Sequence, residues 1–430
     1  MTASHFILTP VGSSGDVHPY VGLGRALRAR GYDVTLLTAE PFRTVVERAG
    51  IEFVPTHSGE DFERLAAHPD LWHPRRGLKL ILSLSGEALK SDYERLADRV
   101  RPGQSMLVGH PLSFAARVYE DAHHVPAATV HLAPSIFRSD YRQPAFTPGH
   151  DLARAPRWLK RFLWWFIDRA GIDPSIAPPL NRLRRELGLP RVSRVFASWL
   201  HSPQRCIGLF PDWFGPPQPD WPGQLRLTGF PLYDESDQQG TSPALEAFLA
   251  AGDAPILFTP GSANKTAGSF FRAAIDASQR VGRRALLLTK YPEQIPSPLP
   301  SSIRHEPYAP FSKVLPRCAA IVHHGGIGTC AQGLAAGIPQ VTMPMGYDQP
   351  DNATRLWRLG VSRWVLPSAF TGPRVADALR ALLDNPKVAV ACQRRAEAVR
   401  SMNAIEQSCD LLEEVAGYSY GRATSLSGLP

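Results

Sequence analysis

The stretch HFILTPVGSSGDVHPYVGLGRALRARG, residues 5–31, decides the fold. Phe6–Thr9 predicts a buried strand. A proline and a run of small residues follow, and then a helix over Pro19–Arg30, with proline in its first turn and Gly31 at its stop. Strand, glycine loop and helix in this order open a nucleotide-binding α/β half-domain. The loop also carries Asp16 and His18, where a phosphate cradle needs only small neutral residues. A carboxylate or imidazole at the mouth of that loop can accept a proton, which is a different task from holding phosphate.

Outward from this unit the alternation continues. Val34–Thr38, Glu52–Val54, Ser105–Val108 and Ala127–His131 predict further strands, and Pro41–Ala49 a second helix. Residues 149–194 break the pattern with an aromatic helix, Arg154–Ile167, and a basic one, Asn181–Leu187, which read as a helical insertion. Residues 201–243 are dense in Pro, Asp and Gly, which predicts neither helix nor central strand, and an interdomain linker at 231–243. Alternation then restarts. Pro255–Thr259, Ala285–Thr289, Ala319–His323 and Gln340–Met343 predict strands. Helices are predicted over Ser269–Val281, Thr329–Ala336, Asp351–Leu359, Arg374–Leu383 and Val388–Val415, the last with a break near Ser401.

The reading is an α/β chain of two doubly wound, Rossmann-like halves with a cleft between them. The expected domains are 1–230 for the acceptor, a linker at 231–243 and 244–400 for the nucleotide. A helix at 401–416 can cross back to the first half, and 417–430 is expected to be a frayed tail.

Composition fits this. At 430 residues, with 43% hydrophobic and 20% charged content, there is material for two cores. The net charge of +8 suits a phosphorylated ligand, while the absence of any Lys/Arg-rich block argues against nucleic acid as a partner. Five cysteines without CxxC spacing predict reduced thiols and a cytoplasmic protein without a metal centre. The start, MTASHFILTP, does not have a signal peptide's pattern, and no apolar run approaches the ~20 residues of a membrane span.

A second glycine cluster lies at 319–329, AAIVHHGGIGT, at the end of a buried strand and the start of a helix. Gly325, Gly326, Ile327 and Gly328 can offer backbone N–H groups to an anion, and His323 or His324 and Thr329 can add side-chain donors. The loop FTPGSANK, 258–265, places Gly261 and Ser262 at another strand end. Asp348 and Gln349, in MPMGYDQPDNATRL, can accept from and donate to adjacent sugar hydroxyls; the plainer role for Asp348 or Asp351 is to cap the helix that follows.

The strand–HHGGIGT–helix unit and the following GLAAGIPQVTMPMGYDQPDNATRLWRLGV resemble the donor-binding signature of family-1 glycosyltransferases of GT-B fold. SSGDVHP resembles the N-terminal motif of sterol and glycopeptide-antibiotic glucosyltransferases. More narrowly, LWHPRRG, HSPQ, LFPDWFGPPQPDWP, LTGFPLYD and HHGGIG resemble the rhamnosyltransferases that build rhamnolipids. The resemblance implies an inverting, metal-independent hexosyltransferase. It would use a nucleotide-diphosphate sugar, dTDP-L-rhamnose or a UDP- or dTDP-hexose, as co-substrate and need no further cofactor.

By the same resemblance His324 takes the diphosphate-binding place, with His323 its rival, and Thr329 the phosphate-binding hydroxyl. Tyr308, next to Ala309, stands where relatives stack an aromatic ring on the nucleobase, and Asp348 and Gln349 where they read the donor sugar. Gly328 departs from the asparagine of many relatives. Asp16 occupies the place of the catalytic base, with Gly15 beside it. Many relatives use a histidine there, supported by a buried aspartate about a hundred residues on; here the matching strand end reads LVGHP, with His110. Asp16 therefore acts alone or with His110, and His18 is the competing base.

The aromatic segment with Trp158, Phe162 and Trp165 has three readings: core, the wall of a site for a hydrophobic or lipid acceptor, or a peripheral contact with the inner membrane face, aided by Arg154, Arg157, Lys160 and Arg161. Two rival functions remain. Gly12, Gly15 and Glu40 could belong to a dinucleotide-dependent oxidoreductase, although GSSGDVH is not G-x-G-x-x-G. The chain could also be a non-catalytic nucleotide-sugar-binding partner of a transferase. Glu235 and Asp237 mimic a metal-binding pair but fall in the linker.

Overall fold

The computed structural model describes residues 3–74, 76–150, 152–235 and 240–426, with side chains as far as Gly417. Ser236 and Asp237 of the linker and residues 427–430 of the expected tail lie outside the described residues.

The first half runs β1 (His5–Thr9), α1 (Ser14–Ala29), β2 (Asp33–Thr38), α2 (Arg43–Arg48), β3 (Glu52–Pro55), α3 (Gly59–Ala66) and α4 (Gly77–Ala97). It continues through β4 (Ser105–Gly109), α5 (Phe114–His123), β5 (Ala127–His131), α6 (Arg157–Ile167) and α7 (Asp173–Glu186) to β6 (Cys206–Gly208) and β7 (Leu225–Leu227). Its sheet has the order β3-β2-β1-β4-β5-β6-β7, with every pairing parallel. Parallel strands covered by helices on both faces explain why β1, β4 and β5 are buried at every position. Even His5 is absorbed, between Ser105 Oγ at 2.8 Å and Thr35 Oγ1 at 2.9 Å.

The second half begins with α8 (Pro243–Ala250), β8 (Ile256–Thr259), α9 (Gly268–Val281), β9 (Ala285–Leu288), β10 (Ile303–Glu306) and α10 (Phe311–Val314). It ends with β11 (Ala320–His323), α11 (Ile327–Ala336), β12 (Gln340–Thr342), α12 (Gln349–Arg358), β13 (Ser362–Trp364), α13 (Gly372–Leu383), α14 (Pro386–Arg400) and α15 (Ala404–Leu426). Its parallel sheet is ordered β10-β9-β8-β11-β12-β13. In both sheets the strand order reverses beside the first strand, β1 or β8, so both carboxyl ends open a crevice toward the same gap.

Besides elements that the sequence did not announce, such as α4, β10 and β13, the following details differ from the sequence reading. The region 201–243 holds two short strands, and β6 is an inner strand between β5 and β7. Turn formers flank it closely, but three residues, Cys206–Gly208, suffice for a ladder. Helix α1 starts at Ser14, with Pro19 inside it, so Asp16 and His18 are helical. The final helix continues to Leu426, beyond the expected end at 416.

That helix returns to the first half. Arg30, at the C-cap of α1, pairs with Glu406 at 2.6 Å, Asp410 at 2.7 Å and Glu413 at 2.8 Å. Three carboxylates on one guanidinium form a network, the surface arrangement in which ion pairs count. The buried Thr228 and Ser408 hydroxyls add a contact of 2.9 Å beneath it.

Candidate active site

The cleft between the sheets encloses about 1450 Å³, lined from both halves. That exceeds the several hundred cubic ångströms of an ordinary single-ligand pocket and leaves room for two substrates. Its rims are tied across. Glu63 pairs with Lys265 and Lys290, Tyr347 Oη donates to the Leu71 carbonyl at 2.5 Å, and the Ala145 N–H donates to Asp351 Oδ1 at 2.9 Å.

On the first side, the turn before α1 folds the Asp16 carboxylate back on its own backbone. Oδ2 accepts from the Ser13 N–H at 2.7 Å and from Ser13 Oγ at 3.2 Å, which caps the helix start. Both bonds fall on one oxygen, so Oδ1 keeps its lone pairs. Burial in the cleft raises the Asp16 pKa to about 6, partly opposed by the two Ser13 bonds. The fold-back requires Gly12, whose φ is +137° and where a Cβ would lie 2.2 Å from Asp16 Oδ2. Gly12→Ala is therefore expected to displace the carboxylate and to lower turnover about 10²-fold, measured as kcat on a saturating donor.

His18 follows by two residues, about 200° around the helix, and lines the cleft at a different place, beside Tyr233. Its ring meets Tyr233 edge-on at 6.1 Å, and burial lowers its pKa to about 4, so it is neutral near pH 7. His110, at the end of β4, lies on the Asp16 side: its ring is 6.3 Å from that of Tyr20, one turn beyond Asp16. Burial brings its pKa down to about 3, and the Leu112 N–H donates to its Nδ1 at 3.2 Å. The proton therefore sits on Nε2, and His110 offers a donor rather than a base.

On the other side, α11 starts after Gly326, which has no side chain to cap it, and its first turn lines the cleft. His323 and His324 are separated cleanly. His323 is fully buried: the Gly325 N–H donates to its Nδ1 at 3.1 Å, and its Nε2–H donates to Gln340 Oε1 at 2.9 Å. Both nitrogens are used in pinning the glycine turn. His324 lines the cleft, its buried Nδ1 has no partner, and burial holds its pKa at about 4. Gly261, φ +96°, and Gly326 press on this ring, since a Cβ at either would come within 2.9 Å or 2.4 Å of it. Ser262, Gly328 and Thr329 line the same pocket; Gly325 is buried beneath it against Gln349.

Asp348 also reaches this helix start. Its carboxylate accepts from Asn352 Nδ2 at 2.7 Å and from the Ile327 N–H, so its bonds run to α11 as well as to its own helix. Burial first, and the charge of Asp16 second, raise its pKa to about 7; both carboxylates line the cleft, one from each half. Gln349 Oε1 is held by the Met345 N–H at 2.8 Å, which aims its amide. Asp351 is not a cap: it pairs with Arg355 at 2.6 Å and joins the halves. Tyr308, half-exposed beside the buried Ala309, is fixed by its Oη donating to the Asp234 carbonyl at 2.6 Å.

The acceptor-side aromatics are corrected. Trp158, Phe162 and Trp165 are exposed outside the cleft and are neither core nor wall. Trp164 and Ile167, on the opposite side of α6, line it instead, with Phe146 and Arg138. Much of the remaining apolar wall comes from α4, including Leu78, Ile81, Leu84 and Ala88. Their helical spacing in LKLILSLSGEALK was the available signal, unused because no polar chemistry marks it. Glu40 pairs with Arg43 at 2.6 Å and is thereby occupied. Among the described residues, His131, His201 and Cys206 bring potential metal-ligand atoms within 4.8 Å of one another; this buried trio does not line the cleft.

Two parallel-stranded, Rossmann-like halves opening onto one cleft are the GT-B architecture. The family comparisons agree. Residues 6–88 match the glycosyltransferase family 28 N-terminal domain, and residues 287–412 the erythromycin biosynthesis protein CIII-like C-terminal domain. The O-mycaminosyltylonolide 6-deoxyallosyltransferase of Streptomyces fradiae is 33% identical over 95% of this chain and 97% of its own. The 4'-demethylrebeccamycin synthase of Lentzea aerocolonigenes is 24% identical over 93% of this chain and 96% of its own. Among solved structures, the glycotransferase of kitacinnamycin superposes with a TM-score of 0.74 at 20% identity, over 97% of this chain and 100% of that one. The spinosyn rhamnosyltransferase SpnG complexed with thymidine diphosphate does so at 0.66 and 17%, over 95% and 100%. The chain belongs to the family-1 GT-B glycosyltransferases. The oxidoreductase reading is thereby overturned.

Proposed function

We propose that the chain transfers a 6-deoxyhexose from thymidine diphosphate to a hydroxyl of a large apolar natural-product aglycone, with inversion and with Asp16 as base. One observation carries this: the starts of α1 and α11 meet across the cleft, a Cβ at Gly328 falling 3.8 Å from the Gly15 Cα. The carboxylate and the anion seat thus flank one small gap. An acceptor hydroxyl placed there loses its proton to Asp16 Oδ1 as its oxygen attacks the anomeric carbon. The bond to the diphosphate breaks on the opposite face, which inverts the centre. The leaving charge falls on the α11 N–H groups, His324 and the Thr329 hydroxyl, which supply what a metal would otherwise supply.

Tyr308 carries the nucleobase, Asp348 and Gln349 hold the sugar, and His110 donates to the acceptor. Gly328 leaves the gap open where an asparagine would fill it. The α4 wall with Trp164, Ile167 and Phe146 suits an aglycone with extended apolar surface. The donor class draws support from the deoxyallosyl and rhamnosyl relatives and from the thymidine diphosphate seen in neighbours.

The test is transfer by the isolated chain, in buffer containing EDTA, from dTDP-6-deoxyhexoses and from UDP-glucose to macrolide aglycones. The reading expects transfer from the dTDP donors with an inverted anomeric centre. Transfer from UDP-glucose alone overturns the donor; binding without transfer or donor hydrolysis supports the non-catalytic partner instead.

A further inference from the structure

Helix α6, RWLKRFLWWFI, is built inside out. Trp158, Phe162, Trp165 and Phe166 fall at i, i+4, i+7 and i+8, one stripe of the helix surface, which a globular domain ordinarily turns inward. Here the stripe faces out, with these side chains 69%, 52%, 51% and 55% exposed. The inner face carries charge. Lys160 is buried, its ammonium donating to the carbonyls of Tyr141 at 2.7 Å and Ala153 at 3.2 Å. Asp168, just past the helix, is buried against Arg138, whose guanidinium lies 4.6 Å over the Trp164 ring. Rolling the helix to cover its aromatics would strand both charges, so their partners fix the apolar face outward.

The border of the patch is basic. Arg154, Arg157, Arg161 and Arg169 are exposed around it. Arg157 lies 4.1 Å over Tyr141, while Arg161 is offset by Asp140 at 2.7 Å. Asp168 and Asp140 are thus paired, and Asp220, whose Oδ2 accepts from the Asp140 N–H at 2.6 Å, adds one further acid; against the four arginines these leave the rim net positive. A second copy of the chain docked by a twofold axis would set this rim against itself. An anionic surface is what complements it.

We propose that this face seats the protein on an anionic lipid membrane. Trp158, Phe162, Trp165 and Phe166 enter the headgroup layer and the arginines meet the phosphates. The contact is peripheral, since among the described residues no helix is long and apolar enough to cross a membrane. Phe146, 59% exposed and packed 5.5 Å from Trp164, joins the patch to the cleft wall, so the seated face lies beside the mouth of the chamber. This inference goes beyond the sugar-transfer reading and does not depend on it.

The test is flotation of the full chain with vesicles of phosphatidylcholine alone and of phosphatidylcholine with phosphatidylglycerol. Binding about tenfold stronger or more to the anionic vesicles is expected, falling with added salt. The variant W158S/F162S/W165S/F166S is expected to lose flotation with an unchanged melting temperature. Arg154→Glu with Arg169→Glu is expected to remove the preference for anionic vesicles while keeping the fold. Absence of flotation with the anionic vesicles, or flotation undiminished in the quadruple variant, overturns the proposal. Self-association that the quadruple variant abolishes, without vesicle binding, also overturns it and makes the face an interface between copies.

Discussion

Asp16→Asn is expected to lower kcat by about 10³-fold while leaving the donor dissociation constant within about twofold of the parent. The substitution is unusually clean. The asparagine carbonyl oxygen can still accept from the Ser13 N–H, so the cap at the start of α1 is kept and only the base is removed. A structural role alone would leave turnover nearly intact, because half of a capping interaction is worth about 1 kcal/mol of stability. Asp16→Ala loses the cap as well. It should melt lower than Asp16→Asn while being no slower, which separates folding from chemistry.

His324→Ala carries the second large effect, a loss of about 10²-fold in kcat/KM for the donor, with little change in melting temperature. The physical reason is that its Nδ1 is buried and without a partner, so nothing in the fold depends on its bonds. His323→Ala is the contrasting variant. It strips a donor from Gln340 and an acceptor from the Gly325 N–H in a fully buried place, and is expected to cost roughly 2–4 kcal/mol of stability. Binding of thymidine diphosphate by calorimetry, read beside thermal unfolding, distinguishes the two. If His323→Ala lost donor affinity with an intact melting temperature, the assignment of the adjacent histidines would be reversed.

The sequence announced the two sheets because buried parallel strands read as short apolar runs, and FILT, TLLT, MLVG, ILFT and AIVH all do. It hid the short polar strands β10 and β13, which are pairing edges with little apolar signal of their own. Pro19 misled the placement of α1. Proline favours a first turn, but here it is the sixth helical residue, and its missing N–H leaves the Gly15 carbonyl without an intrahelical partner at the cleft rim. The Ser13-x-x-Asp16 spacing was the better start signal.

Site residues with local chemistry were legible: His324, Gly326, Gly328 and Asp348 line the cleft, and His323 braces the glycine turn from beneath. What sequence could not do was decide which of two adjacent imidazoles faces inward. On a strand end that depends on the pleat and on Gln340, seventeen residues away. Nor could it orient α6, since aromatics surround that helix on nearly every side and only the buried partners of Lys160 and Asp168 select a face.

The pH dependence of kcat/KM for the acceptor tests the central claim most directly. Asp16 must be ionised to accept the proton, and burial has raised its pKa to about 6, so activity should fall about tenfold per unit as pH drops below that value. Asp348, raised to about 7, is mostly uncharged where Asp16 titrates, so Asp348→Asn should leave this limb in place while weakening donor binding. The residual activity of Asp16→Asn should lack the limb altogether. An acidic limb that survives unchanged in Asp16→Asn, or a wild-type profile flat well below pH 6, would contradict the assignment of this carboxylate as the base.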